Sequence, residues 1–91
     1  MFRWKRGVTP DQVEAVHAAL SRMPATVDAI RRYDHGPDAG LGSPRWDYVV
    51  VVDFDDEDGW RAYDEHPDHD QIRRELLGPL AEERAGIQLR T

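Results

Sequence analysis

The sequence predicts an α+β domain, a four-stranded antiparallel sheet with helices packed on one face. Three observations carry this expectation. The stretch 46–54 contains four consecutive valines and has apolar side chains on both faces at its middle, which marks a central strand covered from both sides. Segments with apolar spacings of three and four stand before and after it, each opened by a cap signal. Short alternating stretches lie near both ends of the chain.

Taken in order, Phe2 and Trp4 alternate with Arg3 and Lys5 and read as the last few residues of a first strand, after which Gly7 turns the chain. Thr9, Pro10 and Gln12 form a helix start, with Thr9 at the N-cap, Pro10 at N1 and Gln12 closing a capping box. Val13, Val16, Leu20 and Met23 continue as one apolar stripe until Pro24, so a helix is expected over 10–22. Residues 30–33 alternate weakly and lead to Gly36 and Pro37, a second strand of about six residues. The glycine- and proline-rich stretch 36–44 is a loop long enough to rim a pocket. The strand 46–54 follows, with Trp46, Tyr48, Val50, Val52 and Phe54 on one face and Asp47, Val49, Val51 and Asp53 on the other. The acidic run 55–58 complements the dipole of a helix reaching about Glu65, and Trp60 and Tyr63 stand on it at helical spacing. Pro67 breaks that helix and opens another, whose stripe is Ile72, Leu76 and Leu80, interrupted by Gly78 and Pro79. Ile87 and Leu89 alternate with polar residues, which predicts a last strand over 86–90. This β-α-β-β-α-(α)-β order is the ferredoxin-like split βαβ arrangement. Helices cover one sheet face only. A second copy is the economical cover for the other, giving a homodimer built as an α/β barrel.

Ninety-one residues make one domain, spanning 1–91, with a thin core. No cysteine is present to staple it, which leaves oligomerisation as a source of burial. The net charge of −6 disfavours nucleic acid as a partner. The longest apolar run, 48–52, is far below the ~18 residues of a membrane span, and the basic start is followed by no apolar stretch of the secretory type. We therefore expect no membrane association and a cytoplasmic location.

Four segments resemble the stress-responsive dimeric A/B barrel domain family: Gly7-Val-Thr-Pro-Asp-Gln-Val13, Ala29-Ile-Arg-Arg-Tyr33, Trp46-Asp-Tyr-Val-Val-Val-Val-Asp-Phe54 and Arg61-Ala-Tyr-Asp-Glu-His-Pro-Asp-His69. The resemblance covers essentially the whole chain. Its most specific part is Tyr63, His66, Pro67 and His69 following an acidic helix cap. It implies the ferredoxin-like fold and barrel dimer, with little fixed chemistry. Related plant polyketide cyclases use a Tyr and a His of this stretch, matching Tyr63 and His69 here. Family members begin several residues earlier, with a fuller first strand that carries a His absent from this sequence.

His69 precedes Ile72 by three and lies on the inward stripe of its helix, as a general base for proton abstraction beside a carbonyl would. Tyr63 would sit far around the same helix from His69, but the Pro67 break frees the two to converge, with the Tyr63 hydroxyl orienting a carbonyl oxygen. His35, at a strand end, is placed at the pocket mouth, and Trp46, Tyr48 and Ile72 are expected to line it. Trp4, Trp46 and Trp60 suit either packing or a stacking platform. His66 reads as a local cap and His17 as a boundary residue. The His66/His69 pair is too common a spacing to argue for a metal site, and no phosphate loop or hydrolase motif occurs, so no cofactor and no metal are expected. Two functions follow: a dimeric, stress-related domain binding a small apolar or aromatic molecule between helices and sheet, or a cofactor-independent, polyketide-cyclase-like enzyme using His69 and Tyr63.

Overall fold

The computed structural model describes residues 1–43 and 46–91. The elements are β1 (Phe2–Trp4), α1 (Pro10–Ser21), α2 (Met23–Thr26), β2 (Arg32–Pro37), β3 (Tyr48–Asp53), α3 (Glu57–Asp64), α4 (Pro67–Ile72), a π-helical turn (Arg73–Leu77), α5 (Gly78–Leu80) and β4 (Ala81–Arg84). Pro44, the end of the expected loop, lies outside the described residues. The strands form one sheet in the order β2-β3-β1-β4, with every neighbouring pair antiparallel, which is the ferredoxin-like topology.

Local chemistry accounts for most boundaries. The Thr9 hydroxyl accepts from the Gln12 amide at 3.2 Å and the Gln12 side chain accepts from the Thr9 amide at 2.8 Å, a complete capping box for α1. Asp56 caps α3 by accepting from the Gly59 amide at 2.9 Å. Between α3 and α4 the chain turns extended at His66, because Pro67 disfavours a helical conformation in the residue before it. The His66 Nδ1 then accepts from the Asp68 amide at 3.1 Å and caps α4. Pro79 has no amide hydrogen to give the Glu75 carbonyl. The ladder widens there, and the Gly78 amide reaches back to the Arg73 carbonyl.

The core joins α1 and α2 to the sheet and to the last helical turn through Val16, Leu20, Met23, Val27, Tyr48 and Leu77. Phe2, Trp4, Val13, Tyr33, Val50, Ile72, Leu76 and Leu80 pack around it. All helices lie on this side. On the other side Val49 and Val51 are 38% and 43% exposed. They are framed by ion pairs of Arg32 with Asp34 and Asp53 and of Arg3 with Glu83.

Two expectations are corrected. The last strand is Ala81–Arg84, not 86–90; Ile87 and Leu89 carry the right alternation but are 87% and 86% exposed. A strand needs a partner, and here the partner is β1, whose ladder with β4 closes where Met1 and Ala85 exchange backbone hydrogen bonds. The third expected helix is not one helix but α4, the π-helical turn and α5, because Gly78 and Pro79 reshape its end.

Candidate functional site

The helix-facing side of the sheet carries a wall of tyrosines and histidines. On β2, Tyr33 and His35 are two residues apart and so point to the same side. Across from them in the register, Tyr33 pairs with Val52 and His35 with Val50, and Tyr48 follows on that face. Successive ring centroids lie 4.5 Å apart for His17 and His35, 5.5 Å for His35 and Tyr33, 6.2 Å for Tyr33 and Tyr63, and 4.4 Å for Tyr63 and His69. The wall thus runs from α1 across β2 to α3 and α4.

At its far end the break at Pro67 brings Tyr63 and His69 together, although one continuous helix would hold them apart. The Tyr63 hydroxyl meets the Tyr33 hydroxyl at 3.4 Å, and Phe54 backs the Tyr63 ring at 5.4 Å. The His69 Nδ1 lies 3.2 Å from the Asp64 carbonyl oxygen. A carbonyl only accepts, so Nδ1 carries the proton and Nε2 of the neutral ring carries the lone pair. That Nε2 has no hydrogen-bond partner among the described residues and is not sealed from solvent. Burial pushes the His69 pKa below the ordinary histidine value. The Asp64 carbonyl bond opposes this, Arg73 adds to it, and the Asp64 and Asp70 carboxylates oppose it without prevailing. Burial also raises the Tyr33 hydroxyl well above the usual tyrosine value and raises that of Tyr63, so both stay protonated.

At the near end, the Tyr48 hydroxyl stands 2.7 Å from His35 Nδ1 and 3.0 Å from His17 Nδ1, while Tyr48 itself is 1% exposed. Burial, and then the charge of His17, lower the His35 pKa. Of the expected pocket residues, His35 and Tyr48 therefore meet each other, and Tyr63 and His69 meet each other. Ile72 packs on the core, and Trp46 is half-buried with no ring contact to these groups among the described residues. Sequence reasoning missed His17, Ser21 and Tyr33 as members of this wall. The signal was present: His17 and Ser21 are one helical turn apart, and Tyr33 and His35 share a strand face.

Two open clefts are lined by other residues than those of the wall. One, of about 510 Å³, lies over β1 and β4 beside Phe2, Arg73 and Leu77. The other, of about 330 Å³, runs between α1/α2 and α4, lined by Ala19, Met23, Asp68 and Ile72. No cluster of three or more His, Asp or Glu side chains suited to a metal occurs among the described residues. No helix is long and apolar enough to cross a membrane.

A family model described as the stress responsive A/B barrel domain matches residues 1–88. The chain belongs to this family. Among solved structures, it is similar to a dimeric ferredoxin-like protein of unknown function from Thermobifida fusca, with 44% identity, a TM-score of 0.82, and coverage of 93% of this chain and 79% of that one. It is also similar to a dimeric protein of unknown function with a ferredoxin-like fold from Bacteroides fragilis, with 25% identity, a TM-score of 0.75, and coverage of 92% and 84%. A Dabb family protein from Mesorhizobium loti, at 15% identity, shares the fold with a TM-score of 0.75 over 90% of this chain and 81% of that one. No curated protein matches.

Proposed function

We propose that the chain works as a cytoplasmic homodimer that binds a small apolar or aromatic molecule on the helix side of its sheet, at Tyr33, Tyr63 and His69. The observation that carries this reading is the set of His69: a half-buried imidazole with Nδ1 committed to the Asp64 carbonyl, its Nε2 lone pair unpartnered among the described residues, and its ring against Tyr63. The Nδ1 bond fixes the tautomer and leaves Nε2 as the acceptor a ligand can meet. The cleft between α1/α2 and α4 lies beside this site, lined on α4 by Asp68 and Ile72, one residue before His69 and three after it. The dimeric state of the similar proteins from Thermobifida fusca and Bacteroides fragilis supports the assembly.

A second reading, a cofactor-independent cyclase-like activity, is favoured by the same tautomer. A neutral Nε2 can take a proton from a carbon beside a carbonyl, and the protonated Tyr63 hydroxyl can donate to the enolate oxygen that forms. In ring closure the enolate carbon would attack a second carbonyl of the same substrate, breaking its C=O π bond, and the His69 imidazolium would return its proton to the alkoxide formed.

Native mass spectrometry of the purified dimer, compared with the His69→Ala and Tyr63→Phe variants, tests the site. The expected result is a folded dimer in all three, with a co-purified small molecule present in the wild type and lost from the variants. A loss of roughly 1–3 kcal/mol of stability in His69→Ala with unchanged occupancy would make His69 structural and overturn the reading. Turnover of a poly-β-keto thioester by the wild type but not by His69→Ala would select the cyclase.

A further inference from the structure

We propose that His17 is a second acceptor site, on the α1 end of the wall, and that Tyr48, His35 and Ser21 are positioning residues that fix its Nε2 as the lone-pair nitrogen. The assignment follows from counting protons around a closed ring of four side chains. The Ser21 hydroxyl donates its one hydrogen to the His17 carbonyl at 2.8 Å. It can therefore only accept from His35 Nε2, 3.1 Å away, so that nitrogen is protonated. In the neutral His35 ring, Nδ1 then has the lone pair, and the Tyr48 hydroxyl donates to it at 2.7 Å. With its hydrogen spent, the Tyr48 oxygen can only accept from His17 Nδ1, at 3.0 Å. His17 is thus the Nδ1–H tautomer. Its Nε2 bears the lone pair, has no partner among the described residues, and is not sealed from solvent.

The two histidines are not equivalent. A proton or a donor arriving at His17 Nε2 leaves every bond of the ring in place. A proton arriving at His35 Nδ1 displaces the Tyr48 hydrogen, which is buried with nothing else to accept it. Glu14 on α1 and Asp34 on β2 are the carboxylates acting on the cluster, the edge of Tyr33 meets His35, and Trp4 of β1 packs on the Tyr48 ring. The His17 Nε2 can accept from any O–H or N–H donor that reaches it, water included. The site shares no residue with the Tyr63 and His69 pair, and it stands or falls independently of the function proposed for that pair.

Long-range proton–nitrogen NMR of the histidine rings at pH 8 reads the tautomers directly. We expect the Nδ1–H form to dominate at His17 and the Nε2–H form at His35. Tyr48→Phe removes the acceptor of His17, and the Nδ1–H form should fall from dominant to minor. Ser21→Ala, at an exposed position that leaves the fold intact, frees His35 Nε2 and lets the ring reverse, so His17 should become a mixture of both forms. His69→Ala should leave His17 unchanged. A dominant Nε2–H form at His17 in the wild type, or a His17 tautomer indifferent to both Tyr48→Phe and Ser21→Ala, would overturn the proposal.

Discussion

At the scale of single residues, the two histidines with lowered pKa values tie the wall to stability. Burial holds both His69 and His35 below their ordinary value, so the folded chain binds fewer protons than the unfolded chain wherever the unfolded imidazoles titrate. Their contribution is complete above the unfolded value of about 6.5 and is lost as the pH falls from there toward the depressed folded values. Urea unfolding should show a lower midpoint at pH 5.5 than at pH 7.5, with an unchanged slope. The doubly substituted His35→Gln, His69→Gln protein should lose most of that difference; an equally steep pH dependence in the double variant would assign it to other groups. The position of His69 was legible in the sequence because an apolar stripe names its own inward face. The Tyr48 ring was not, because it joins α1, β2 and β3 through a register that no local pattern specifies.

At the scale of elements, the polar caps decide where α1 and α3 begin, and they were legible because their chemistry is local. Thr9→Ala removes the hydroxyl that accepts from the Gln12 amide and should cost about 1 kcal/mol in chemical denaturation. Thr9→Ser, which keeps the oxygen, should cost markedly less; equal losses would show that the methyl group rather than the cap matters. The break at Pro67 was legible for the same reason, and it is the element-level device that turns His69 back onto Tyr63. The last strand was not. Alternation at 86–90 describes a face, whereas pairing depends on a neighbour, and β1 offers its edge to Ala81–Arg84.

At the scale of the whole molecule, the sheet has one face under its helices and one face open, and the open face is where Val49 and Val51 stand. Directly across from them on β2 are Gly36 and Asp34. Glycine leaves room over Val49 for an incoming side chain, and the Arg32 and Arg3 ion pairs set a polar rim around the apolar centre. A second copy brings the same pattern, apolar centre to apolar centre, as a two-fold interface requires. Obligate homodimers of this kind bury about 2,000 Å² or more, a large addition for a domain whose own core is thin. Sedimentation velocity at micromolar concentration should therefore give twice the chain mass. Val51→Asp places a carboxylate beside Asp34 and into the apolar centre, and it should yield monomer or aggregate. Val49→Lys, whose charge faces no like neighbour in the register, is the gentler variant and should yield a monomer that keeps its far-ultraviolet circular dichroism. A wild-type chain sedimenting as a monomer, or a Val49→Lys protein that stays dimeric, would place the contact elsewhere than on this face.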